Sequence, residues 1–334
     1  MFFEFILIFL LTLVFINIVQ KKASYFGLVD IPNKRSSHVN NTPRGAGIGF
    51  YLAVVLTLLF FQFDIVLYYI WISLAIFSVF VIGVLDDYQD TSPKLKFFII
   101  FFATFLLYVD NIYIDKLGTF FGVELSLGWM ALPFTAFALV AFTNALNLID
   151  GLDGLAGTIS IVILSSFFII GYNNNDFFIM LLSGAFISAL LAFLIFNWYP
   201  ASIFMGDSGS LTLGFIISVL AIKSLAYIPA ISILFLTAIP ILDTCIVVIL
   251  RRRSGRSLFS ADRCHVHHVL KQFFSENTPK TVLFLVFIQI IYSLLGLQLE
   301  KNIDSGYLLG FFIFNILIFH RLISNLIKKQ KREC

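Results

Sequence analysis

The chain has 334 residues, of which 60% are hydrophobic, 17% aromatic and only 12% charged, with a mean hydropathy of +0.98. No soluble domain has that composition, so the chain reads as an all-α polytopic membrane protein forming one integral-membrane domain over 1–334. The net charge of +3 says little by itself, because its placement carries the information.

Spans need about 20 apolar residues each. Eleven are predicted, near 2–19, 45–61, 65–85, 97–109, 129–148, 158–171, 177–196, 210–225, 228–250, 281–297 and 307–325. The first lacks a basic start and a small-residue cleavage site, so it is expected to be a retained span rather than a signal sequence. Alternate loops carry Lys21, Lys22, Lys34, Arg35 and Arg44, then Lys94 and Lys96, then the run from Arg251 to Lys280, then Arg321 to Arg332. Only Lys116, Lys223 and Lys301 fall on the other side. Basic residues stay cytoplasmic, which predicts an N-out, C-in topology. Cys245, Cys264 and Cys334 match no metal spacing and no disulfide framework.

Four polar clusters fall on the cytoplasmic side of that topology: Asp86-Asp87, the stretch Asn144 to Gly157, Phe204 to Ser210, and Arg251 to His268. In the second, Asn144, Asn147, Asp150 and Asp153 recur every three residues, as neighbours on one helix face do. Gly151, Gly154 and Gly157 follow the same step. Polar groups this dense beside a bilayer cost several kcal/mol unless a cation, a polar ligand or water satisfies them.

Each cluster also has a plain structural reading. Asn and Asp cap helix ends, and glycines close turns. Adjacent carboxylates at Asp86 and Asp87 repel, so one titrates high or both share a cation, unless they simply form a solvated helix end. Asp207 either caps a helix or holds a hard cation against a phosphate docked on open N–H groups of that helix. His265, His267 and His268 suggest zinc, but no cysteine or carboxylate in the sequence completes a convincing tetrahedral set. With Arg263 nearby they read better as partners of an anion. Asp243, inside the ninth span near Pro240, either satisfies a broken helix or lines the site. Together the clusters supply oxygen ligands for Mg²⁺, with Mn²⁺ as a substitute, and cations for phosphates. That combination suits phosphoryl transfer from a charged soluble donor to a lipid.

The ordered set Asp30 to His38, Thr42 to Gly45, Asp86-Asp87, Asn144 to Gly157, Gly206 to Ser210 and His265 to His268 resembles the polyprenyl-phosphate N-acetylhexosamine-1-phosphate transferases. That family includes phospho-MurNAc-pentapeptide transferase. The Arg-Ser-Ser-His and Thr-Pro-Arg-Gly elements look more like the branch that starts O-antigen, lipopolysaccharide or other surface glycans.

The resemblance implies a UDP-N-acetylhexosamine donor, a polyprenyl (undecaprenyl) phosphate acceptor, release of UMP and a place in the bacterial cytoplasmic membrane. It implies Mg²⁺ on Asn147 and Asp207, with Phe204 stacked on uracil beside Gly151 and Asp153. Asp86 and Asp87 would prepare the acceptor, and Lys94, Arg263, His265, His267 and His268 would contact phosphates or sugar. Membrane lipid is an expected partner, nucleic acid is not, and a homodimer fits. The rival readings are the MurNAc-pentapeptide enzyme and, from another class, a cation-coupled transporter, which would place its carboxylates near the bilayer midplane.

Overall fold

A computed structural model describes residues 1–30, 41–255, 264–299 and 303–330. Its residues group into two compact units, Met1–Asp115 with Leu127–Tyr227, and Lys116–Ser126 with Ile228–Cys334, each described by itself. Among the described residues, eight helices are long and apolar enough to cross a membrane, or nine if one sharply bent pair is a single span. The expected count of eleven is reached only if two shorter helices, Ala46–Phe61 and Pro93–Val109, also cross.

The first unit contains α1 (Phe2–Lys22), α2 (Ala46–Phe61), α3 (Phe63–Tyr68), α4 (Ile70–Tyr88), α5 (Pro93–Val109), α6 (Ala131–Ile149), α7 (Leu155–Asn174), α8 (Phe177–Asn197) and α9 (Asp207–Ser224). Helix α9 is its centre. All but two of its residues are buried, against α2, α4, α6, α7 and α8. Its sequence explains this position: serines, threonines and glycines replace the bulky residues that a lipid-facing helix carries. A Cβ at Gly83 would meet the backbone of Asp207 and Ser208 at 2.5–2.8 Å, and one at Gly47 would run into Gly209. Glycine there lets α4 and α2 lie directly on the start of α9. The buried hydroxyls of Thr212 and Ser218 bond back to the carbonyls of Ser208 and Gly214, so they need no outside partner.

A two-residue bridge between β1 (Val29–Asp30) and β2 (Thr42–Pro43) fixes the chain entering α2. The segment before α9 is stitched to it: Phe204 N–H donates to Pro43 O, and Ala46 N–H and Gly47 N–H donate to Phe204 O and Met205 O. The loop that presents Asp207 is therefore held by backbone bonds on both sides.

The second unit contains a hairpin, β3 (Lys116–Phe120) and β4 (Val123–Ser126), with α10 (Ala230–Leu236), α11 (Ala238–Arg253), α12 (Val266–Phe273), α13 (Thr278–Gln298) and α14 (Ser305–Lys329). Helices α10 and α11 meet at an 85° bend. The bend frees backbone groups that a membrane cannot solvate. Gln289 of α13, fully buried, takes them up: its Oε1 accepts Ile239 N–H at 2.9 Å and its Nε2 donates to Leu236 O at 2.8 Å. Of the two roles open to Asp243, satisfying this break falls to Gln289 instead. Ile231, Phe235, Leu242, Tyr292 and Phe312 form the apolar core beside the bend. Among the described residues Cys245 is a free thiol and Cys264 is disulfide-bonded, which the spacing of the cysteines does not suggest.

Candidate active site

Three of the four polar clusters meet at one end of α9. Asp86 and Asp87 occupy the last turn of α4. Adjacent residues on a helix point about 100° apart, and these two carboxylates accordingly have different partners. Asp87, 2% exposed, turns toward α9 and accepts from Asp207 N–H at 2.8 Å and Ser208 N–H at 3.1 Å. It caps the helix from another segment. The open N–H groups expected there for a phosphate are thus partly taken by a buried carboxylate. Gly206, at φ +75, is required beside it, since a Cβ would lie 2.5 Å from an Asp87 oxygen.

Asp86 turns the other way. Its Oδ1 accepts from Thr91 N–H and Thr91 Oγ1 at 2.8 and 2.7 Å, and its Oδ2 pairs with Lys96 Nζ at 2.8 Å. The same ammonium reaches Asp207 Oδ2 at 2.5 Å. Lys96 sits in the first turn of α5, which Pro93 opens and whose Leu95 N–H is capped by the Ser92 side chain. The expected cation, Lys94, is exposed on the surface; residues two apart on a helix do not share a face. Asp207 Oδ1 accepts from Asn147 Nδ2 at 2.9 Å, and the same nitrogen lies 2.8 Å from Ser210 Oγ.

The Asn/Asp/Gly stretch is not one helix. Helix α6 ends at Ile149, and α7 starts at Leu155 after a turn in which Gly154 takes φ +78. Only Asn144 and Asn147 therefore share a helical face, and the three-residue step beyond them runs through the turn. Gly151 lies in that turn. Asp153 Oδ2 accepts Ala201 N–H at 3.0 Å, while Asn197, which the motifs pass over, accepts Gly154 N–H and donates to Ile203 O. These bonds tie the turn to the loop carrying the half-buried Phe204. Burial, and after it the charges of Asp207, Asp87 and Asp153, push the Asp150 carboxyl up to about 7.

Asp86 and Asp207 around one ammonium, the amide of Asn147 beside Asp207, and Asp150, whose carboxyl feels the charge of Asp207, offer hard oxygen donors. That chemistry fits Mg²⁺, which takes one or two protein carboxylates and fills its other positions with water and phosphate oxygens. Asn147 turns its amide nitrogen toward Asp207 here, so holding the ion with its oxygen requires the amide to turn over.

In the second unit the histidines lie at the start of α12. His265 and His267 are 6% and 1% exposed, and His268 is half-buried. Asp243 of α11 faces them: its Oδ2 is 2.6 Å from His265 Nδ1, its Oδ1 accepts Val266 N–H at 2.5 Å and lies 3.7 Å from His267 Nδ1. The carboxylate that the sequence alone did not supply to the histidines is Asp243, and the three residues form a potential metal-binding group. Burial, opposed by Asp243, keeps the His267 imidazole below its ordinary pKa. Arg263 lies outside the described residues.

Residues 69–225 match the model of glycosyl transferase family 4. The chain is 33% identical over 96% of its length to a probable undecaprenyl-phosphate N-acetylglucosaminyl 1-phosphate transferase of Bacillus subtilis (strain 168), covering 90% of that protein. The chain belongs to this family. Undecaprenyl-phosphate alpha-N-acetylglucosaminyl 1-phosphate transferases of Yersinia pestis and Escherichia coli O157:H7 are 33% and 34% identical to it over 80% of its length, covering 76% and 75% of theirs. The family 4 match takes in Asp86, Asp87, Lys96, Asn147, Asp153, Phe204 and Asp207, and stops before the histidines. The Bacillus protein's alignment, which leaves out only a few residues, includes them as well.

Proposed function

We propose that this chain transfers N-acetylglucosamine 1-phosphate from UDP-N-acetylglucosamine to undecaprenyl phosphate, releasing UMP, at the cytoplasmic face of a bacterial membrane. An acceptor phosphate oxygen bonds to the sugar-bearing β-phosphorus as its bond to the bridging oxygen breaks, and UMP leaves with that oxygen. The names of the relatives support the sugar and the acceptor. The basic-residue asymmetry supports eleven spans with the N-terminus out and the site in.

The observation that carries the reading is the pairing of Lys96 with both Asp86 and Asp207 at 2.8 and 2.5 Å. A phosphoryl transfer between two anions needs positive charge held where negative charge builds up. Lys96 is anchored to do that from the first turn of α5. Asn147 and Asp207 would hold Mg²⁺ with the donor diphosphate, and the ion would neutralise charge on the transferring group. Asp87 fixes the start of α9, so that Asp207 keeps its place. Asp86 is the carboxylate left to face the acceptor. Phe204, Gly151 and Asp153 would receive the uridine, and His265, His267, His268 and Arg263 would contact phosphates or sugar.

Membership of family 4 leaves no observation in favour of a transporter, and no relative compared above is named for MurNAc-pentapeptide. Purified protein incubated with undecaprenyl phosphate, Mg²⁺ and in turn UDP-N-acetylglucosamine, UDP-N-acetylgalactosamine or UDP-MurNAc-pentapeptide should release UMP with the first. Release only with the last would overturn the choice of donor.

A further inference from the structure

We infer that Asp243 is a positioning residue for the histidine segment, holding His265 with its Nδ1–H turned into α11 so that this ring does its chemistry through Nε2. The inference rests on the transferase reading, in which the histidines meet the donor, and adds to it a residue that none of the motifs assigns.

Asp243 is 2% exposed and sits in an apolar helix, where a carboxylate persists only with good partners. It has them on both oxygens. One lies 2.6 Å from His265 Nδ1, and the other accepts Val266 N–H. The pair of bonds clamps both the ring and the backbone at the point where α12 begins, since His265 is the residue preceding that helix. A carboxylate oxygen can only accept, so Nδ1 must carry the proton in both the neutral and the charged ring. In the neutral ring Nε2 is then the basic nitrogen. A buried carboxylate behind an imidazole is a recurrent way to set tautomer and orientation together.

Zinc is the competing account, because Asp243, His265 and His267 have ligand atoms within 4.8 Å of one another and both His267 nitrogens are buried with no hydrogen-bond partner. The distances are those of a direct hydrogen bond. Two ligand atoms each about 2.0–2.1 Å from a tetrahedral zinc lie roughly 3.3 Å apart, whereas Asp243 and His265 are in direct contact at 2.6 Å.

Asp243→Asn tests this, because asparagine keeps the shape but can place an N–H against His265 Nδ1, which favours the opposite tautomer. In purified full-length protein, ¹⁵N spectra of labelled histidine should show Nδ1–H at His265 in the wild type and a change in Asp243→Asn. His265→Ala identifies the signal. With UDP-N-acetylglucosamine as donor, Asp243→Asn should lower kcat/KM by about 10–100-fold and leave the KM for undecaprenyl phosphate unchanged. The double variant Asp243→Asn/His265→Ala should be no worse than His265→Ala alone. An Nε2–H tautomer in the wild type, additive losses, or stoichiometric zinc that disappears in His265→Ala would overturn the inference. If Asp243→Asn fails to fold, the wild-type spectrum alone decides. A wild type without UDP-N-acetylglucosamine turnover would refute the transferase reading, while the spectrum would still decide the position of the proton.

Discussion

Lys96 Nζ meets Asp207 Oδ2 at 2.5 Å across 111 residues of sequence, joining the start of α5 to the start of α9. The same ammonium holds Asp86, so one side chain balances two carboxylates that would otherwise repel. Replacing Lys96 with Gln should lower turnover by roughly 100-fold or more, in the range found when one electrostatic partner of a transition state is lost. Lys94→Gln should stay within a few-fold of wild type. UMP release measured side by side checks this, and a larger loss at Lys94 would mean that the wrong cation has been assigned.

Asp86 and Asp87 are adjacent in sequence but should separate on mutation. Asp87→Ala leaves two N–H groups at the start of α9 without their buried acceptor, at a cost of about 1–3 kcal/mol. It should lower the thermal unfolding temperature of the detergent-solubilised protein. Asp86→Asn, at a half-buried position, should lower turnover and leave that temperature nearly unchanged. The opposite pattern would exchange their roles.

The Asp150 carboxyl, raised from its ordinary 3.8 to about 7, makes a pH prediction with a definite sign. Between those values the folded protein binds more protons than the unfolded chain. The native state therefore loses stability as pH rises from about 4 through 7, by on the order of 2 kcal/mol once solvent screening is allowed for. Unfolding temperature in the absence of divalent cations should fall over that window, and Asp150→Asn should make the fall shallower, the remainder coming from Asp87, which burial raises to about 6. Added Mg²⁺ should recover most of the loss above pH 7. A wild-type profile that rises through the window would contradict the placement of Asp150.

Much of this site is legible in the sequence, but not its internal wiring. Asn147 and Asp207 are expected to act together, and they touch. What the sequence does not resolve is the choice among equivalent neighbours. Nothing local distinguishes Lys96 from Lys94, because the partners that select it lie on α4 and α9. The three-residue step from Asn144 to Asp153 looks like one helix face, yet the positive φ of Gly154 divides it between a helix end and a turn. Asp243 and Gln289 are each a single polar residue in an apolar run. Only packing shows that Gln289 mends the α10–α11 break, which leaves Asp243 to the histidines.

The N-out, C-in topology is checked by single cysteines in a cysteine-free background. Asp90→Cys should resist a membrane-impermeant maleimide added to intact cells, and Asn175→Cys, in the exposed turn between α7 and α8, should react. Labelling at position 90 alone would invert the topology and move the site to the other face.

The most direct test of the central claim is the fate of the β-phosphorus of the donor. UDP-N-acetylglucosamine carrying ³²P in its β-phosphate is incubated with purified protein, Mg²⁺ and undecaprenyl phosphate, and the products are partitioned between butanol and water. Transfer of sugar 1-phosphate predicts that the label enters the lipid phase as UMP appears in the water, and that Asp207→Asn abolishes both. Label that remains in the water as UDP while the sugar alone reaches the lipid would contradict the account.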